Sequence, residues 1–333
     1  MRADLARIIS LLFVAVASAH AQDVIVTGLS ANSIGYSAQT GMLYATIPSL
    51  AGLPYGNNLI EISPDDLSVT RGVWVGSEPG PLAISPDAPV AYVGLSGAAS
   101  VRAVDLVEMT AGLQFTLGRG DYTGAFFAEQ IAVMPGDPAT VAVSRRNITR
   151  SPRFEGVAIY DSGVMRPLTA GYQIAATAIA FGSDPNLLFG LDTQDTAGSL
   201  SRMEVSASGV SVLQAISTPF AAVTITAVGS DVFGNFGDVA DGQTLETLGH
   251  YDASGVETIV GPTHSVIFAN NASIEVFNRY SYGAAPVVTL YGAYGTPRSA
   301  AACGLDCLAV VYDSGYLFLF KNYNGVVFAA DFE

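Results

Sequence analysis

Few side chains in this sequence are of kinds that make or break bonds. There are three histidines, two cysteines and a single tryptophan, Trp74. A serine hydrolase would place a histidine beside an activated nucleophile, but no Gly-x-Ser-x-Gly elbow accompanies His250 or His264. His264 stands just before an apolar strand and reads as a turn residue. Cys303 and Cys307 form Cys-Gly-Leu-Asp-Cys across a hairpin turn. In an oxidising compartment that pair is expected to form a disulfide, with free thiols as the alternative. A zinc site would need two more soft ligands, and neither His250 nor His264 is near in sequence. Asp238, Asp241 and Glu246 have a faint calcium-loop flavour, but their spacing departs from the EF-hand pattern and a β-turn is favoured. Asp65-Asp66 and Asp192–Asp195 read as solvated turns, and Arg119-Gly120-Asp121 spells an adhesion tripeptide that chance often produces. Neither metal nor cofactor is expected.

One concentrated group remains, and it is cationic and aromatic. Arg119, Arg145, Arg146, Arg150 and Arg153 are five of the eleven arginines that follow Ala21. Tyr55, Tyr122, Phe126, Phe127 and Phe154 accompany them. Arginine beside aromatics is the composition of binding hot spots rather than of catalysis. All ten lie in three long polar insertions, Pro48–Asn58, Gly118–Glu129 and Ser144–Glu155. What those insertions do depends on the elements that carry them.

The elements are repeats. A short apolar strand returns as MLYAT (Met42–Thr46), AYVGL (Ala91–Leu95), TVAVS (Thr140–Ser144), LLFGL (Leu187–Leu191), DVFGN (Asp231–Asn235), SVIFA (Ser265–Ala269) and CLAVV (Cys307–Val311). Their spacing averages about 44 residues, the period of β-propeller blades. The second blade is the clearest: Pro81–Ser85 innermost, then Ala91–Leu95, Ser100–Asp105 and Gly112–Leu117, with Ser85-Pro86-Asp87 and Leu95-Ser96-Gly97 as turns. Seven second strands predict an all-β, seven-bladed propeller as one domain over residues 22–333. Weak signals in the fifth and sixth blades leave six blades as the alternative. Asp23–Leu29 is expected to complete the last blade and join the termini, with Gly325–Asp331 as its competitor.

Ser-Pro-Asp before AYVGL, followed by SVRAVDL, resembles the YVTN β-propeller repeats of secreted and periplasmic bacterial proteins. The chain after Ala21 is similar in layout to exported propellers of that group, with the fifth and sixth blades departing most. The terminal Phe328–Glu333 looks like a short acidic-aromatic ending carried by some secreted bacterial proteins. Other propellers are enzymes: lactonase-type hydrolases hold a cation in the axial channel with inward-pointing carboxylates and histidine or asparagine. The innermost strands here read SIGYS, PLAIS, QIAVM, AIAF, TITAV, TIVG and SAAAC, with no carboxylate or histidine. Quinone-dependent propellers would want tryptophan platforms, and Trp74 stands alone.

The two ends of the chain and its charge complete the expectation. Arg2 and Arg7 precede the apolar run Ile8–Ser18, which ends at Ala19-His20-Ala21, the pattern of a cleaved secretory signal peptide over residues 1–21. No later apolar run approaches the roughly 18 residues of a membrane span, so no membrane insertion is expected. A membrane β-barrel would need regular long alternating strands and aromatic girdles that are missing here. The net charge of −15, with Lys321 the only lysine, disfavours nucleic acid, whose binding draws on neutralised phosphates. The function expected is therefore that of a secreted or periplasmic, non-catalytic binding scaffold. Its partner would be a protein or an anionic ligand held by loops of the first three blades. The alternative is a lactonase-type hydrolase with its site in the channel.

Overall fold

A strand that is apolar at nearly every position must be covered on both faces. The computed structural model covers each second strand in this way. It describes residues 23–121, 123–171, 176–194, 198–217, 220, 222–260, 265–285, 287–290, 294–304 and 307–321. Seven antiparallel four-stranded sheets follow one another along the chain. Each inner strand packs against the inner strand of the next blade, and that of the seventh against that of the first, so the ring is closed. Among the described residues the only helical element is a 3-10 turn at Ser49–Ala51.

The inner strands are Ser33–Ser37, Pro79–Ile84, Phe127–Met134, Ala178–Phe181, Ile225–Val228, Val256–Val260 and Pro297–Ala302. The fifth blade is the slightest, with four residues in each of its strands. Between blades lie separate apolar layers. Leu43, Ile60 and Ile62 of the first blade meet Ala309, Val311, Leu317 and Leu319 of the seventh. Tyr44 and Leu59 meet Ala91, Val93 and Val104 of the second.

Buried tyrosines tie the blades through their hydroxyls, as burial of a polar group requires. Tyr92 donates to Pro138 O at 2.9 Å, Tyr160 to Leu117 O at 3.0 Å, Tyr251 to Arg279 O at 2.9 Å and Tyr312 to Asn270 O at 3.1 Å. Each bond leaves one blade and ends on its neighbour or on the connection leading to it.

The ring is closed by the N-terminal strand. Asp23–Gly28 pairs antiparallel with Tyr316–Lys321, Ile25 opposite Leu319, and becomes the outer strand of the seventh blade. The competing strand Gly325–Asp331, the signal segment 1–21, the ending Phe328–Glu333 and His264 lie outside the described residues. Cys303 and Cys307 are joined, with Cα atoms 4.8 Å apart, at the turn between the first two strands of that blade. No helix among the described residues is long and apolar enough to cross a membrane.

One expectation about the channel is corrected. The inner strands begin earlier than their apolar runs, because a ladder is held by backbone groups whatever the side chains. Pairing starts at Phe127 opposite Arg146 and at Val256 opposite Ala269. Glu129 and Glu257 therefore belong to inner strands, and Arg298 to a third.

Candidate functional site

Loops joining second to third strands and loops joining one blade to the next open on the same face, around the mouth of the axial channel. The channel holds a cavity of about 430 Å³ to which the inner strands of all seven blades, or the residues leading into them, contribute. Its polar lining includes Ser33, Glu129, Gln130, Thr226, Glu257 and Arg298. Beside it, over the third and fourth blades, lies a second cavity of about 500 Å³ lined by Glu129, Arg146, Pro152, Arg153, Thr177 and Gln194 among others. Glu129, Thr177 and Thr193 border both, so the two spaces share a wall.

Arg145 does not reach either cavity. It sits at the end of the second strand of the third blade, 6% exposed. Its guanidinium lies 5.3 Å from the centroid of Phe126 and donates to the carbonyls of Glu155 (2.9 Å), Leu117 (3.4 Å) and Gly156 (3.4 Å). Gly156 has φ +84°, and a Cβ there would stand 2.3 Å from Ala170 O, so only glycine lets the strand run close enough to complete this nest. Arg145 is thus a buried cation held by the fold, and Phe126 and Phe154 are core residues beside it.

Arg119, Arg150 and Arg153 are exposed, and Arg146 is half-buried. Arg146 Nε lies 3.0 Å from Glu129 Oε2, and Arg150 Nη1 lies 3.3 Å from Glu155 Oε1. Arg119 is exposed on a two-residue strand paired with Gly124–Ala125. Arg153 is placed by its backbone: its N–H donates to Gln194 Oε1 at 2.9 Å and its carbonyl accepts from Asn147 N at 2.6 Å. Its guanidinium has no ion-pair partner among the described residues. Thr149 Oγ1 donates to Thr123 O at 2.8 Å and ties the loop of the third blade to the preceding connection.

The first insertion places its aromatic residue away from the cavity over the third and fourth blades. Tyr55 packs on the layer between the seventh and first blades and lines a separate cavity of about 260 Å³ with Leu29, Ile47 and Pro54. Phe127 is half-buried opposite Arg146, and Tyr122 lies outside the described residues. Of the ten expected residues, Arg146 and Arg153 border the larger cavity. Glu129, Gln194, Thr177 and Thr193 complete it and were missed, since they come from an inner strand and the fourth blade, distant in sequence.

No family model matches the chain, and no curated protein matches it. What the site can do must therefore be argued from its own groups. Among the described residues no three His, Cys, Asp or Glu side chains are grouped to hold a metal ion. Glu129 is ion-paired with Arg146. Glu257 is 6% exposed, and burial pushes its carboxyl up to about 8, only partly opposed by the hydroxyls of Thr224 and Thr226. The two mouth arginines and the polar wall are suited to recognising negative charge and hydrogen-bonding groups.

Proposed function

We propose that the chain is an exported, non-catalytic β-propeller of the YVTN type. It binds an anionic group, on a protein or a small molecule, in the cavity between the third and fourth blades. The observation that carries this reading is Arg153: a guanidinium without an ion partner among the described residues, beside a cavity of about 500 Å³, with Arg146 on the same wall. On a chain of net charge −15 such a local basic surface would orient an anionic partner and reject others. Export is supported by the N-terminal apolar run ending at Ala19-His20-Ala21 and by the bonded cysteines. The sequential blade layout and the Ser-Pro-Asp turn support the repeat type.

The test is capture from cell-envelope extract on immobilised wild type, on R153E and on R146Q/R153E. Loss of a specific partner from a variant that unfolds at the wild-type midpoint supports the reading. Equal recovery of every partner on all three would overturn it. The same preparations should leave lactones, phosphoesters and peptides unchanged, and a hydrolytic activity removed by one channel substitution would reverse the non-catalytic assignment.

A further inference from the structure

The fold contains two buried glutamates that are treated very differently. Glu61 is 4% exposed in the third strand of the first blade. Its carboxylate accepts from Tyr44 Oη at 3.1 Å, Thr70 Oγ1 at 2.6 Å and Arg71 Nε at 2.9 Å, with a second contact to Arg71 Nη2. Burial raises the proton affinity of Glu61, but the hydrogen bonds from Arg71 and Thr70 outweigh it and hold the group below the ordinary carboxylate range. Glu257 is buried to a similar degree, yet among the described residues only threonine hydroxyls and its own backbone support it, with Thr224 Oγ1 donating to Oε2 at 3.2 Å. Its Oε1 is buried with no hydrogen-bond partner among the described residues. Leaving a buried carboxyl oxygen unpaired is costly, and the residue that carries it lines the axial cavity.

We propose that the axial cavity binds a small ligand carrying a primary ammonium group, with Glu257 as its anionic partner. Among the described residues no cation takes that role. On the inner strand of the fifth blade and just before it, the facing groups are the hydroxyls of Thr224 and Thr226, which do not titrate. On the second strand of the sixth blade the residue opposite Glu257 is Phe268. The inner strand of the seventh blade contributes Arg298, whose Nη1 reaches Asn32 Oδ1 at 3.5 Å rather than Glu257. Across the channel Glu129 is ion-paired with Arg146.

The site is also held in place. Asn235 Oδ1 accepts from Val223 N at 2.7 Å and Thr224 N at 3.1 Å, fixing the segment that presents the threonine hydroxyl. An ammonium group has three N–H donors in a compact head. With the carboxyl turned so that Oε1 faces the cavity, one would satisfy that oxygen, and the others could reach the threonine hydroxyls. A quaternary ammonium has the same charge but no N–H and cannot make those bonds. The cavity, about 430 Å³, admits a head group with a short organic tail. Ligand binding transfers the carboxyl proton to solvent and leaves a carboxylate–ammonium pair.

The inference is independent of the Arg153 cavity, because Glu257 does not line that space. The test follows the carboxyl carbon of Glu257 by NMR in protein labelled with ¹³C-glutamate, through a pH titration with ethylammonium chloride. Tetramethylammonium chloride and sodium chloride at equal ionic strength are the controls. The resonance is assigned by its loss in E257Q and, independently, by through-bond connection to its own backbone. The expected result is a midpoint lowered by at least one unit, tenfold in proton affinity, with ethylammonium only. An unchanged midpoint, an equal shift with all three salts, or a midpoint in the ordinary carboxylate range without any salt would overturn the proposal. Loss of capture by R153E with an unaltered Glu257 titration would leave the first site standing and remove this one.

Discussion

Two arginines eight residues apart are put to opposite uses. Arg145 satisfies three backbone carbonyls from inside the third blade, whereas Arg153 projects its charge beside an open cavity. Removing a buried donor leaves its acceptors unpaired, so R145A is expected to cost about 2–4 kcal/mol. R153A should stay within about 0.5 kcal/mol of wild type, as exposed substitutions do. Urea unfolding of both variants checks this, and equal midpoints would refute the division of roles. Glu257 makes a second expectation, through pH. Its folded value of about 8 lies above the ordinary 4.5, so the folded chain keeps a proton that the unfolded chain has lost. Stability from this group is complete below about pH 4.5, falls as pH rises, and is gone above about pH 8. E257Q cannot ionise and should therefore unfold at a higher temperature than wild type at pH 9. The advantage, a few kcal/mol at most, should shrink towards pH 5. A difference independent of pH would show that the carboxyl is already solvated or paired.

At the scale of elements, the closing strand is the one whose two faces are easiest to tell apart. Ile25 packs against the layer between the seventh and first blades, while Val24 and Val26 are 43% and 44% exposed. Alternation along a strand makes this an internal control. I25D puts a charge into an apolar layer and is expected to cost about 2–3 kcal/mol, against about 1 kcal/mol or less for V26D on the outer face. Thermal unfolding monitored by circular dichroism distinguishes them. Similar losses from both would mean that the strand latches by backbone pairing alone. The tie at Cys303–Cys307 acts more locally, since it closes a loop with a sequence separation of only 4.

For the whole molecule, what could be read in advance was the repeat. Seven apolar second strands had to be buried on both faces, and a ring of sheets is a way to do that without leaving edges. The closing strand was legible for the same reason: Asp23–Leu29 alternates and has no other sheet to join. Hydrophobic patterning therefore determined the architecture, and residue spacing the cysteine pair. It could not tell the direction of single side chains. Arg145 and Arg146 are adjacent, yet one turns into the blade and the other towards Glu129, and the register of the ladder decides which. Glu129 and Glu257 were invisible as channel residues because polar positions at strand starts look like loop, while backbone pairing recruits them. Only the closed ring decided that Arg146 and Arg153 share a wall with Gln194, and that a lone carboxyl on the sixth blade lines a cavity common to all seven. Such meetings depend on how neighbouring sheets stack across contacts far apart in the chain, and no local spacing carries that information.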